Sequence, residues 1–392
     1  MPKQRFVFVV QGEGRGHLTQ AITLYELLTA NGHTVSAVLI GSGKGKDLPS
    51  FVRQRIEAPI LLFPSPVFKK DKNNFSISVC KTFFHTLFNA RQYFKSIQLL
   101  DQIINKYEPD VIINFYDPLV GIASWLKGWT TKILSIAHQY LYLHSEFRFP
   151  PNSSRKNQKI LKAYTRFTAF RSNQLLALSF YPVKILKEGK LNVCPPLIRK
   201  EILYRGNNYN GKHILVYLVN AGYMKEVIEW HQLNPEVEIH CFTDAVSVKE
   251  KWEYQKKLFF HPLDDRKFLH YMAGAAALAT TAGFETVCEA MYCGKPVLMV
   301  PVKNHFEQWC NARDAAKVGA GIYADHFDLT LLKDFIPLYQ SSSAQHKSWM
   351  MQAEQVVLNT IHNLQLPTYN LPNPNSDYLP LPFSAYDQIV QD

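Results

Sequence analysis

The chain has 392 residues, 47% hydrophobic and 19% charged, enough apolar material for two cores at roughly 100–200 residues per domain. No run reaches the ~18–20 apolar residues of a membrane span, and the run from Phe6 to Val10 is too short for a signal-peptide core, so the sequence argues for a cytoplasmic chain. The net charge of +11 is local: residues 151–212 hold thirteen Lys and Arg against Glu188 and Glu201, and the rest of the chain is neutral overall.

The elements alternate from the start. Residues 5–10 form an apolar run of the kind a buried parallel strand shows. A glycine-rich turn follows, then a helical pattern through Leu18, Ile22, Tyr25 and Leu28, closed by Asn31-Gly32. Further strands are predicted at 33–40, 60–63, 110–115, 132–137 and 174–179, with a long helix at 77–107. Residues 191–212, with Pro195-Pro196 and Asn207-Asn208, read as a linker. The pattern then restarts, with strands at 213–219, 237–242, 258–261, 276–280 and 296–301 and helices between them. Residues 366–392 carry five prolines and read as an extended tail. The expected organisation is α/β: two Rossmann-like, doubly wound parallel sheets, 1–200 and 201–365, facing a cleft at their carboxyl ends. The six cysteines form no CxxC pair, so free thiols in a reducing compartment are expected.

Three segments carry chemistry. After the first strand stands Gln11-Gly12-Glu13-Gly14-Arg15-Gly16-His17. Glycines let backbone N–H groups approach an anion, and the helix that follows favours negative charge at its start. The second strand ends in Leu39-Ile40-Gly41, without the acid that would hold the ribose of a dinucleotide, which speaks against NAD. His17 opens the helix and suits a general base on a sugar hydroxyl, or a histidine that only packs at the turn.

The second segment runs from Thr280 through Gly283, Phe284, Glu285, Thr286 and Glu289 to Gly294-Lys295-Pro296 and the next strand. The helix N-terminus at 283–286 offers free N–H groups to a diphosphate, and Glu289, one turn in, offers a carboxylate to ribose hydroxyls. Thr286 and Glu289 also fit a capping box. Glu307 and Gln308 then stand at the start of a further helix, where such a pair can read neighbouring sugar hydroxyls or be an ordinary exposed helix start.

The third segment is the basic one. Ile160, Tyr164 and Phe167 recur at helical spacing among Lys156, Lys159, Lys162 and Arg166, with Phe68-Lys69-Lys70 and Phe83-Phe84 upstream. This suits docking on an anionic bilayer, or core-facing aromatics with a solvated back. By charge alone, an acidic glycan or nucleic acid would also serve.

The order of glycine turn, glutamate, Gly-x-Pro strand and Glu-Gln before Asn311-Ala312 resembles the C-terminal donor domain of GT-B glycosyltransferases, above all family 28, which includes lipid II-forming N-acetylglucosaminyltransferases. The resemblance implies that Glu289 holds the ribose, that Gly283, Phe284 and Thr286 lie by the diphosphate, and that Glu307 and Gln308 hold the donor sugar. It puts backbone near Leu263 at the base and Ala221 in the phosphate cradle. Gly14, Arg15, Gly16 and His17 resemble the family's Gly-Gly-His loop, and His138-Gln139 part of its acceptor segment. Gln20 stands where the family carries proline, and Asn220-Ala221-Gly222 is poorer in glycine than the family's loop.

The implied activity is inverting transfer of a hexose or N-acetylhexosamine from a nucleotide diphosphate sugar, a UDP-sugar, to a glycan or lipid-linked acceptor. No DxD motif occurs, so no metal and no cofactor are expected, and neither is a nucleic-acid partner. Docking at the inner face of the plasma membrane through residues 155–212 stays open. So do a UDP-sugar 2-epimerase on the same fold and a non-catalytic polyanion binder.

Overall fold

The computed structural model describes residues 2–13, 15–43, 48–66, 89–183, 189–204, 211–218, 221–245, 250–341 and 343–364. Two seven-stranded sheets account for its strands. The first contains β1 (Arg5–Gln11), β2 (Thr34–Ser42), β3 (Ile60–Pro64), β4 (Val111–Phe115), β5 (Lys132–Ala137), β6 (Gln174–Leu178) and β7 (Leu191–Cys194). Their order is β3-β2-β1-β4-β5-β6-β7, and every pair is parallel. The second contains β8 (Ile214–Leu218), β9 (Ile239–Thr243), β10 (Trp252–Gln255), β11 (Leu258–Pro262), β12 (Ala277–Thr280), β13 (Val297–Met299) and β14 (Gly321–Tyr323). Its order is β10-β11-β9-β8-β12-β13-β14, parallel except for the β10 edge.

The strands are apolar on both faces because both faces are covered. Along β1, Phe6, Phe8 and Val10 face one core while Val7 and Val9 face another. Along β8, Leu215 points one way and Ile214, Val216 and Leu218 the other. Strands buried on both sides read as continuous hydrophobic runs, which is why the sequence displays them so clearly. Each sheet reverses its winding once, between β1 and β4 and between β8 and β12, and such points open crevices at the carboxyl ends of strands.

Three strands depart from the sequence reading. Leu191–Cys194, read as linker, is β7, the edge of the first sheet. β10 and β14 were not predicted; β10 is exposed and β14 has three residues, so neither shows a buried-strand run. The helix predicted at 77–107 is seen as Ala90–Tyr107, its start lying outside the described residues, as do Cys80, Phe68–Lys70, Phe83-Phe84 and the tail at 366–392. The five described cysteines are in no disulfide.

The last described helices return to the first sheet. Trp349 Nε1 donates to the Ser179 carbonyl at 3.0 Å, and helix Ala353–Asn363 packs beside β7. Among the described residues, no helix is long and apolar enough to cross a membrane.

Candidate active site

The first wall of the cleft grows from β1. Gly12 N donates to the Gly41 carbonyl at 2.7 Å, and a Cβ at Gly12 would lie 2.7 Å from that same oxygen. Only glycine permits this approach, which turns the chain sharply into helix Gly16–Ala30. Gly14 lies outside the described residues. Arg15 is the N-cap residue, with its guanidinium 5.6 Å from the Phe51 ring centre. Burial raises the phenol pKa of Tyr217 on β8 while the charge of Arg15 opposes the rise. Gly16 is exposed beside Glu285.

His17 is buried beneath this turn. Its ring stacks on Tyr116 with centroids 5.6 Å apart, and Nδ1 lies 3.1 Å from Gln20 Oε1. Burial lowers its pKa to about 4 against the opposing Gln20 bond. The imidazole is therefore uncharged at neutral pH and keeps a lone pair able to take a proton.

His138 and Gln139 begin a 3₁₀ turn, His138–Leu143, at the end of β5. The His138 ring lies flat on Phe284, with centroids 4.7 Å apart and planes 6° apart. Gln139 Nε2 donates to Glu307 Oε1 at 3.0 Å, and His138 Nε2 lies 3.5 Å from the same oxygen. Burial, and next the neighbouring His17, lower the His138 pKa to about 3, while burial raises that of Glu307 to about 7. Tyr142 donates to Asn311 Oδ1 at 2.7 Å, and Asn311 Nδ2 donates to the Ala282 carbonyl at 3.3 Å. The residues read as acceptor side and as sugar side thus meet across the cleft.

The second wall is helix Phe284–Tyr292, with Gly283 as its N-cap. Thr286 lies inside the helix, so the capping-box reading of Thr286 and Glu289 is corrected. Phe284 is buried between His138 and Phe180 at the start of this helix. Glu289 is 1% exposed, and Arg199 grips both its oxygens, Nε to Oε1 at 2.6 Å and the terminal nitrogen to Oε2 at 2.5 Å. In this conformation Glu289 faces the linker cation, not open cleft. Arg199 also bonds Asp265, which Arg55 approaches at 3.4 Å, and Arg55 bridges to Glu26 and Glu201. Burial opposes the Arg199 charge, but Glu289 and Asp265 outweigh it and hold its pKa above the ordinary value.

Helix Phe306–Lys317 carries the remaining pair. Gln308 Oε1 accepts from Val302 N at 2.8 Å, so one end of its amide braces the preceding loop. Leu263 lies partly buried between β11 and helix Asp265–Gly274, and Ala221 begins the 3₁₀ turn Ala221–Tyr223; Asn220 lies outside the described residues.

Sequence reasoning passed over Gln20, Tyr116, Asp117, Arg199 and Glu285. Asp117 follows β4, accepts from Ser65 Oγ at 2.6 Å and from Leu119 N at 2.9 Å, and has its pKa raised by burial to about 6. A side chain at Gly41 would collide with that carboxylate, so the glycine near the end of β2 leaves room for Asp117. Glu285 is buried and accepts from Gln20 Nε2 at 2.7 Å; burial raises its pKa to about 8. The signal for Asp117 was an acid just past a strand end; for the Gln20–Glu285 contact no local pattern exists.

Among the buried polar side-chain atoms without a hydrogen-bond partner are Gln139 Oε1, Thr281 Oγ1 and Glu285 Oε2. They stand at the carboxyl ends of β5 and β12 and at the start of the helix between β12 and β13. Buried polar atoms are normally paired, so each of these leaves a hydrogen-bonding capacity unused. Among the described residues, no cluster of three or more His, Cys, Asp or Glu is placed to hold a metal ion.

The sequence pattern of glycosyl transferase family 1 matches residues 4–339. No curated protein matches the sequence. Solved structures share the architecture. The glycotransferase of kitacinnamycin is 14% identical over 93% of this chain and 98% of its own, with a TM-score of 0.59. MurG of Acinetobacter baumannii is 15% identical over 92% and 100%, with a TM-score of 0.52. UGT2 of Phytolacca americana, complexed with UDP-2fluoro-glucose and pterostilbene, is 10% identical over 93% and 100%, with a TM-score of 0.60. At such identities the likeness shows the fold alone: GT-B, two Rossmann-like domains facing a cleft.

Proposed function

Since the chain belongs to glycosyl transferase family 1 and is a glycosyltransferase of the GT-B fold, we propose that it moves a hexose or N-acetylhexosamine from a UDP-sugar to a glycan or lipid-linked acceptor, with inversion and without a metal. The observation that carries this reading is the placement of His17, buried beneath the glycine turn on Tyr116, in the same cleft as Gln139 and Glu307. The acceptor hydroxyl gives its proton to His17 as its oxygen attacks the anomeric carbon. The bond from that carbon to the diphosphate breaks, and the developing charge lies against the helix start at 283–286, where free N–H groups favour it. One displacement at one carbon inverts its configuration. Glu307 and Gln308 take sugar hydroxyls, Glu289 the ribose, and backbone at Leu263 and Ala221 the base and phosphates; His138 and Gln139 border the acceptor.

The likeness to family 28 in residues 280–311 supports a UDP-sugar and an envelope glycan. A membrane-borne acceptor is supported by the surface of the first domain. Ile160 and Phe167 are exposed on helix Arg155–Thr168 among exposed Arg155, Lys156, Lys159 and Arg166, whereas Tyr164 packs on Tyr116. Helix Leu119–Lys127 lies alongside, with Gly121 against Phe170, and exposes Trp125 at 63%. Apolar rings among cations suit the anionic inner face of a bilayer.

The test incubates the protein with UDP-N-acetylglucosamine or UDP-glucose and a membrane-lipid extract and reads the products by NMR. Transfer gives UDP and a new glycoside; an epimerised donor without acceptor would mean an epimerase instead. His17→Ala should lower kcat about 10²–10⁴-fold, and near-full kcat would remove His17 from the role of base.

A further inference from the structure

Gln20 and Glu285 have no place in the reaction just described, yet they join the two domains at its centre. Gln20 is 1% exposed, one turn into the helix that His17 opens. Its Oε1 lies 3.1 Å from His17 Nδ1, and its Nε2 donates to Glu285 Oε1 at 2.7 Å. Glu285 sits 265 residues away on the second domain, at the start of helix Phe284–Tyr292. The chain His17–Gln20–Glu285 therefore exists only where the domains meet.

An amide is directional: its oxygen accepts and its nitrogen donates. With the nitrogen donating to Glu285, the oxygen faces Nδ1, and that arrangement calls for the proton on Nδ1. Nε2 is left with the lone pair. Which imidazole nitrogen is protonated is set by the bond the other one makes. The proline that family 28 carries at this place has no side-chain donor or acceptor, so it could not do this. We propose that Gln20, held by Glu285 across the cleft, is a positioning residue that fixes His17 as its Nδ1–H tautomer and so readies the base only when the domains approach. The proposal rests on the reading of His17 as the base. The direction of the chain follows from Glu285 accepting at Oε1, as it does here; a neutral carboxyl turned to donate would reverse the amide and with it the tautomer.

The tautomer is open to direct measurement in the full chain, without substrate. Protein labelled with ¹⁵N-histidine gives distinct signals for protonated and bare ring nitrogens, and His17 is assigned by the signals lost in His17→Gln. The expected result is protonated Nδ1 and bare Nε2 in the parent. Gln20→Leu and Glu285→Ala should each move the ring toward Nε2–H, the form a free neutral imidazole prefers, while Glu285→Gln, which keeps an accepting oxygen at nearly the same volume, should hold Nδ1–H. An Nε2–H parent overturns the proposal, and this arm needs no variant to fold beyond the assignment. An Nδ1–H ring unchanged in both Gln20→Leu and Glu285→Ala overturns it too. The two readings fail separately: full transfer by His17→Ala sinks the base and the proposal with it, whereas lost transfer there together with an Nε2–H parent sinks the proposal alone.

Discussion

Arg199 and Glu289 give the most demanding test of the donor site. The two side chains are 8% and 1% exposed, and the guanidinium satisfies both carboxylate oxygens. At that burial, solvent screening takes little from the pair. Removing one partner of a buried pair leaves an uncompensated charge and costs about 3–5 kcal/mol. For a domain of this size each kcal/mol lowers the Tm by about 2–4 °C, so Arg199→Ala should melt roughly 6–20 °C below the parent. If Glu289 is the ribose ligand, UDP then has something extra to offer the variant, since two ribose hydroxyls can donate to the oxygens that Arg199 vacated. Scanning calorimetry with and without saturating UDP reads both effects. At a hundred times Kd a ligand adds about 2.7 kcal/mol, enough to resolve a difference between parent and variant. The UDP-induced rise in Tm should be larger in Arg199→Ala than in the parent. An equal or smaller rise would mean that Glu289 is held for structure alone, and a Tm within a degree of the parent would refute the energetic argument itself.

Glu285 predicts a pH effect of definite sign. Its folded pKa is raised from 4.5 to about 8, so its contribution to stability is fully present below about 4.5 and is lost as pH rises toward 8. Glu285→Gln should flatten that part of the denaturation-against-pH curve by a few kcal/mol, since each tenfold change in proton affinity is worth about 1.4 kcal/mol; curves that stay parallel would contradict it. EDTA at millimolar concentration should leave transfer unchanged, whereas restoration of a lost rate by a divalent ion would overturn metal independence. Trp125→Ala with Phe167→Ala should weaken sedimentation with anionic vesicles about tenfold or more while sparing melting, and raised salt should weaken parent binding further, at about 1 kcal/mol for each basic residue near the surface. Binding that ignores both changes would remove the membrane reading.

The sheets were legible because they are buried on both faces. Residues 5–10 and 110–115 announce themselves as apolar runs, and the match of strand to run holds for most of both sheets. β7 hid because Leu191–Cys194 is short, partly exposed and followed by two prolines, which locally outweigh its alternation. Its strand state is fixed by β6, a partner that no window around residue 191 contains. The site shows the same division. The glycine turn before His17 was readable because turn chemistry is local, and the helix start at Glu307 for the same reason. That Gln139 bonds Glu307 across 168 residues, or Gln20 Glu285 across 265, is a property of two domains meeting.

The helix Phe284–Tyr292 joins these threads through a constraint of simple electrostatics. Glu285 and Glu289 are one turn apart on it and both are buried. Two carboxylates so placed cannot both stay ionised without compensation, because each charge disfavours the other and burial disfavours both. The fold answers with one cation and one retained proton. Arg199 neutralises Glu289, and Glu285, raised first by burial and then by the charge of Glu289, keeps its proton to about pH 8. The compensation is shared, since the charge of Arg199 also pulls the Glu285 pKa down. Whatever draws Arg199 away from this helix therefore strengthens the hold of Glu285 on its proton. If a nucleotide ribose were to take over Glu289 it would bring no positive charge with it, so binding at one end of the helix should be felt as a change in proton affinity at the other, where Gln20 leads to His17.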